Sequence, residues 1–238
     1  MTDTPSPSSS LPVIAVLGGT GKEGSGLAFR WAHAGYRVVL GSRDPDRAHA
    51  VAADLRALAA THGRVDAQVE GAGNLAAASE ASVVVLAVPY AAQLDTARSV
   101  RDALAGKVLV DVTVPLQPPK VDRVQLPGGG SAVLALQAEL GPDVRVVSAF
   151  QNVSAVHLKD PGHPVDCDVL VCGDDAQARE QVVALARAAG MVGLHAGALA
   201  NSAAAEALTS VLIAINKRYK VPGSGIRITG LPDPARAT

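Results

Sequence analysis

Three groups of residues in this chain have the types and spacing to do chemistry. The first is Gly19, Thr20, Gly21, Lys22, Glu23 and Gly24, a GxGxxG run between a β-branched stretch and an alanine-rich one. At such a junction the first glycine makes a tight turn, the second lets backbone approach a pyrophosphate, and the third lets helix pack on strand. The helix start then offers free N–H groups and a partial positive charge to an anion. A ligand-free glycine turn is the competing reading, and the strand–loop–helix setting argues against it. About 20 residues on, where NAD binders place an acidic residue for the ribose hydroxyls, the chain has Gly41, Ser42 and Arg43, with Arg47 one turn later. A hydroxyl and two guanidiniums attract a 2′-phosphate, whereas a carboxylate would repel it. The expected cofactor is therefore NADP(H), not NAD(H), against the plainer possibility of solvated surface arginines. Asp44 is explained as a helix cap before Pro45.

The second group is Gln151, Asn152 and Ser154, just past a strand end, where open α/β sheets bind ligands. They read either as groups that orient a ligand or as a polar loop satisfying its own backbone. None is a catalytic acid or base, and the segment offers no Lys, Tyr or His in an obvious place to donate a proton. The third group is basic: Lys217, Arg218 and Lys220, with Arg227 beyond. These cations either meet an acidic ligand or sit at a helix C-terminus because its dipole favours them.

The elements that must position these groups alternate from Pro12 on. Strands are predicted over 13–17, 36–41, near 64–70, and over 81–88, 107–114, 144–150 and 168–172. Helices are predicted over 23–34, from Asp44, over 132–140 and from about Ser202. The runs 81–88 and 107–114 are almost wholly apolar, as strands buried on both faces are. Asp111 lies inside one of them and could bond a neighbouring loop. Asp174 and Asp175 precede a helix and read as caps. The fold class is α/β: a Rossmann-type doubly wound, mostly parallel sheet with a small C-terminal helical extension. Residues 1–11 read as a disordered tail, 12–197 as the nucleotide-binding domain, and 198–238 as a small C-terminal domain. Leu208, Val211, Leu212 and Ile215 form one apolar helical stripe. Its default place is the core of the same subunit.

Composition removes several alternatives. With 21 basic and 22 acidic residues the net charge is −1, which argues against a nucleic-acid binder. Aromatics are only 3%, too few for base stacking, while 44 alanines make an aliphatic core of small side chains. Mean hydropathy is +0.24. The longest strongly apolar uncharged run, 81–94, contains a proline and falls short of the ~18 residues a membrane span needs. The first ten residues lack the basic start and apolar core of a secretory signal. Cys167 and Cys172 lie five apart on one strand and point to opposite faces, so they cannot pair. No Cys or His spacing suits a metal. The six histidines show no partner pattern, although His157 lies close to Gln151. A soluble cytoplasmic protein without membrane or nucleic-acid partners is expected.

Five stretches together resemble the coenzyme F420-dependent NADP oxidoreductase family. They are VLGGTGKEGSGL at 16–27, GSR at 41–43, VVSAF at 146–150, VCGDD at 171–175 and AGALANS at 196–202. The likeness runs from Pro12 to about Leu231, and the last two stretches are more specific than the glycine loop. The resemblance implies a homodimer that exchanges hydride between NADPH and a deazaflavin, coenzyme F420, stacked on the nicotinamide. It places Thr20, Gly21, Lys22 and Glu23 around the pyrophosphate and Ser42, Arg43 and Arg47 on the 2′-phosphate. Tyr90 and Leu94 would flank the cofactor, Leu116 and Ala155 would line the nicotinamide side, and Ser224 would touch the deazaflavin. Many members of the family have histidine where this chain has Gln151. Glutamine can bond a carboxamide or a ring carbonyl but cannot titrate. Two other readings stay open: an NADP-dependent reductase of an imine or carbonyl, and an NADP-binding sensor without turnover.

Overall fold

A computed structural model describes residues 11–231. The expectation of a disordered N-terminal tail therefore falls almost wholly outside the described residues. Eight strands form one sheet in the order β3-β2-β1-β4-β5-β6-β7-β8. They are β1 Ile14–Leu17, β2 Val38–Ser42, β3 Val69–Gly73, β4 Val83–Leu86, β5 Val108–Asp111, β6 Arg145–Ser148, β7 Asp168–Gly173 and β8 Val192–His195. Every pairing is parallel except β6 with β7, which is antiparallel. The helices are α1 Lys22–His33, α2 Pro45–Thr61, α3 Asn74–Glu80, α4 Gln93–Ser99, α5 Arg101–Leu104, α6 Ala132–Leu140, α7 Ala176–Ala188 and α8 Ser202–Tyr219. The doubly wound α/β expectation holds. Strand order reverses between β1 and β4, which opens a crevice at their carboxyl ends.

Alternating residues of the central strands feed two cores. Val16, Leu40, Val83, Val85 and Val110 face α1, α2 and α7, while Ala15, Leu17, Val84, Leu86 and Leu109 face α3 and α6. This is the period-two pattern of a strand covered on both sides, and it explains why such strands read as unbroken apolar runs. Trp31 is fully buried on α1; its Nε1 donates to the Leu185 carbonyl at 2.9 Å and its ring meets Phe150 edge-on. The guanidinium of Arg30, also buried, donates to the carbonyls of His157, Leu158, Asp160 and His163 and fixes that loop against α1.

Several expectations need correction. The third strand begins at Val69, not near Arg64, because residues 62–64 close the turn after α2 and Arg64 pairs with Asp66. The strand was hard to see because it contains Gly71 and Gly73. A Cβ on Gly71 would fall 2.3 Å from the α2 backbone at Ala48 and His49, so the close packing of α2 excludes a β-former there. Strand β8 and helices α3 to α5 are short and carried no clear periodic signal. Asp175 caps α7 through the Ala178 N–H, but Asp174 accepts instead from the Leu199 N–H at 2.9 Å. The apolar stripe of α8 is not core. Leu212 alone of the four is buried, whereas Val211 is 44% and Ile215 37% exposed.

The buried face of α8 is Ser202, Ala205, Glu206, Ser210 and Leu212. Glu206 accepts from the Ser131 hydroxyl (2.7 Å) and from the free N–H groups of Ala132 (2.8 Å) and Val133 (3.2 Å) at the start of α6. A carboxylate at a helix N-terminus satisfies donors that no turn can reach. The same helix with its leading turn, Leu199–Tyr219, is the one helix among the described residues long and apolar enough to cross a membrane. The run-length reading missed it because Glu206 interrupts it.

Candidate functional site

The crevice between β1 and β4 is an open cleft of about 510 Å³. Its floor is the turn after β1, built from glycines that cannot be anything else. A Cβ on Gly18 would lie 2.3 Å from the Ala87 carbonyl oxygen, and Gly18 has φ +79°. One on Gly19 would lie 2.7 Å from the Val16 oxygen, and one on Gly24 2.7 Å from the Gly18 oxygen. The turn is thus held by backbone-to-backbone contact, and the start of α1 points into the cleft without a side-chain cap. That is a cradle shaped for an anion.

Thr20, Gly21, Ser42, Arg43 and Arg47 line this cleft together, as anticipated. Ser42 ends β2 and Arg43 follows it, and Asp44 caps α2 by accepting from the Arg47 N–H, which keeps the two arginines at the same end. Neither arginine has an ion-pair partner among the described residues. Lys22 and Glu23 stand at the first turn of α1 beside the cleft, Lys22 exposed and Glu23 half-buried. The cleft also contains residues the sequence did not single out: Asn74 on the β2 side, and Ala87, Ala92 and Thr96, with Val88 and Pro89, on the wall after β4. Tyr90 and Leu94 follow on the same wall but do not line this cleft. A signal did exist, since the apolar run of β4 breaks at Pro89.

The other candidate residues gather elsewhere. Gln151, Asn152 and Ser154 meet Thr209, Leu212, Asn216 and Ser224 around a second cavity of about 150 Å³. Leu116 lies in the loop after β5, and Ala155 opens a short turn after the Gln151 loop; neither lines either cavity. Phe150 holds φ +72°, an unusual and costly conformation for a bulky residue. The chain reverses there, and Gln151 turns back so that its Nε2 donates to the Asp111 carbonyl at 2.8 Å. Gln151 Oε1 is buried without a partner. Asn152 Nδ2 donates to the Ala205 carbonyl at 2.8 Å, and Thr209 Oγ1 donates to the Gln151 carbonyl at 2.8 Å. These bonds fasten the loop to α8. They favour neither reading of the pair outright, since one amide is consumed in tethering and the other keeps a free acceptor.

Asp111, fully buried, ties α4 and the Gln151 loop to the end of β5. Its carboxylate accepts from the Thr113 N–H at 3.0 Å and from the Gln93 side chain. Burial pushes its pKa up to about 7, despite the opposing hydrogen bonds of Thr113 and Gln93. Glu23 is pushed up to about 8, first by burial and second by the charge of Asp111. Burial and nearby carboxylates similarly raise both cysteine thiols, which are free and buried. His157 stacks on His163 at 3.8 Å, and both line a cavity of about 170 Å³ that shares Ser154 and Ser224 with the Gln-loop cavity. Lys217 pairs with Asp122 at 2.8 Å and Arg227 with Asp166 at 3.1 Å, while Arg218 and Lys220 remain exposed at the end of α8. The described residues contain no group of three or more His, Cys, Asp or Glu placed to hold a metal.

Comparison with known proteins agrees with this geometry. Residues 13–115 match the family described as NADP oxidoreductase coenzyme F420-dependent. The F420-dependent NADP reductase of Methanothermobacter thermautotrophicus is 43% identical over 225 residues, covering 92% of this chain and 96% of that protein. That of Methanocaldococcus jannaschii is 40% identical over 222 residues, 92% and 98% of the two chains. A crystal structure of a candidate F420-dependent NADP reductase from Arthrobacter sp. FB24 superposes with a TM-score of 0.74 at 28% identity, over 92% of this chain and 99% of that one. A glycine cradle, an arginine-marked second strand and likeness along almost the whole chain lead to one conclusion: this protein belongs to the F420-dependent NADP oxidoreductase family.

Proposed function

We propose that this chain transfers a hydride between NADP(H) and coenzyme F420. The observation that carries the reading is the cleft that joins a backbone anion cradle to Ser42, Arg43 and Arg47 in a chain matched nearly end to end by F420-dependent NADP reductases. When bound, the two coenzymes supply the redox chemistry themselves. The protein's share is to hold two flat rings in register and keep water out.

Each candidate residue then has a part. Thr20, Gly21, Lys22 and Glu23 hold the pyrophosphate over the tight turn of Gly19 and Gly24. Glu23 is largely protonated at neutral pH, its pKa being about 8, so it adds little repulsion there. Ser42, Arg43 and Arg47 grip the 2′-phosphate. Tyr90 and Leu94 flank the cofactor, Leu116 and Ala155 line the nicotinamide side, and Ser224 touches the deazaflavin. Gln151 and Asn152 orient and do not titrate. With one N–H held by the Asp111 carbonyl, Gln151 keeps a free buried acceptor, which suits a carboxamide N–H.

Residues 12–197 serve as the NADP-binding domain and 198–238 complete the deazaflavin side. The exposed stripe of α8 at Val211 and Ile215 suits the interface of a homodimer. Two buried free thiols fit a reducing compartment, and we place the enzyme in the cytoplasm. The test is direct: with NADPH and F420 present, deazaflavin absorbance should fall on addition of the protein. Tight NADPH binding without bleaching would sink the F420 assignment and leave a cofactor-binding protein.

A further inference from the structure

The adenosine end of the cleft contains a polar group for which neither the glycine turn nor the arginines account. Asn74 opens α3 directly after β3 and lines the cleft together with Ser42, Arg43 and Arg47. Its Oδ1 is buried and has no hydrogen-bond partner. That oxygen rests on β2, where a Cβ added to Gly41 would come within 2.9 Å of it. Asn74 has no role as a helix cap, because Gly73 occupies that position and no side chain caps α3. A buried carbonyl oxygen left unpaired is costly, and an alanine at 74 would avoid the cost. The fold alone therefore gives no reason for an asparagine here.

A ligand does give one. The oxygen and the NH2 of a carboxamide diverge from one trigonal carbon, so the two cannot face the same neighbour. With the oxygen turned in against Gly41, the NH2 is the end available to the cleft that Arg43 and Arg47 also face. We propose that Asn74 is a further determinant of cofactor choice, donating an amide N–H to the phosphoryl group on the adenosine ribose. The inference rests on reading this end of the cleft as the 2′-phosphate site. Asparagine supplies a donor where the equally shaped aspartate would supply a repelling charge.

That isostery makes the test clean. Asn74→Asp keeps the size of the side chain and adds negative charge at the first turn of a helix, where charge of that sign is favourable. Because the buried oxygen then carries charge without a partner, the variant's melting temperature should fall, and affinity is read on the folded protein. The Kd for NADPH, read by quenching of protein fluorescence, should rise about tenfold or more, because a charge-assisted hydrogen bond becomes a repulsion. The Kd for NADH should be unchanged or lower. Asn74→Ala should weaken NADPH binding by a smaller factor, again without effect on NADH, and it carries the test should the aspartate variant fail to fold. Equal losses for the two cofactors, or none, would overturn the proposal. Arg43→Ala measured alongside separates the two levels. If it shifts the NADPH-to-NADH preference and Asn74 variants do not, only the role of Asn74 falls; if it shifts nothing, the placement of the 2′-phosphate falls as well.

Discussion

The cleft and the Gln151 loop, the two ends of the candidate site, solve different problems. At the cleft, Arg43 and Arg47 stand exposed where β2 leads into α2, without ion-pair partners among the described residues, so what this end offers a ligand is charge and backbone N–H groups. At the other end Gln151, Asn152, Gln93 and Asp111 are all at least 95% buried and are bonded mainly to one another, to backbone or to Thr209. The first end can draw an anion by long-range attraction; the second fixes its own geometry in advance with short hydrogen bonds. A charged grip tolerates motion, because Coulomb attraction falls slowly with distance. A hydride-transfer pocket does not, because a misplacement of about 1 Å can cost 10²-fold in rate.

The strongest way to separate the two ends is to cut the anchor of α8. Glu206→Ala removes an acceptor for two backbone N–H groups and a hydroxyl in a buried site. We expect a loss of about 3 kcal/mol of stability, seen as a lower urea midpoint. F420-linked turnover should suffer, while NADPH binding to the folded fraction persists; equal loss of both would show that the ends are not independent. Next in size, Arg43→Ala should raise the KM for NADPH about 10- to 30-fold, leave that for NADH alone, and flatten the salt dependence of NADPH binding. An unchanged cofactor preference would remove the charged grip altogether. A smaller effect is expected at Gln151→Ala: kcat about fivefold lower with NADPH affinity unchanged, whereas a matching loss of affinity would place this residue in binding.

A further effect concerns pH. Glu23 and Asp111 have folded pKa values of about 8 and about 7, above their ordinary 4.5 and 3.8. The folded protein therefore binds more protons than the unfolded chain between those limits. The stability these groups contribute is complete below pH 3.8 to 4.5 and is lost as pH rises through 7 to 8. Glu23→Gln, which cannot ionise, should melt higher than the wild type at pH 9, and the gap should close at pH 5. A gap independent of pH would mean that burial and the charge of Asp111 do not hold the proton on Glu23.

Legibility in the sequence followed locality. The GxGxxG turn, the Asp44–Pro45 helix start and the helix at Ala132–Leu140 were all readable, since each depends on conformational demands met within a few residues. Strand β3 was misplaced because its glycines answer to the backbone of α2, a neighbour in space and not a feature of the strand. The stripe on α8 misled for a related reason. Periodicity marks an apolar face but not what covers it, and the buried face turned out to be the one bearing Glu206. Asn74 went unseen because asparagine after a strand is ordinary; only its unpaired oxygen in the folded chain singles it out.

By itself, then, the sequence determined the alternation of strands and helices, the anion-binding turn and the sign of charge at the end of β2. Each is set by backbone sterics or by the charge of a single side chain, and neither depends on where the rest of the chain goes. Tertiary structure decided which amides lose a partner, which carboxyls hold a proton and which face of α8 remains uncovered. Those outcomes depend on desolvation and on distances between residues far apart in sequence. Asp111 shows the division: its place in an apolar strand was plain from the sequence, but its raised pKa and its hold on Gln93 exist only because β5 is buried in the middle of the sheet.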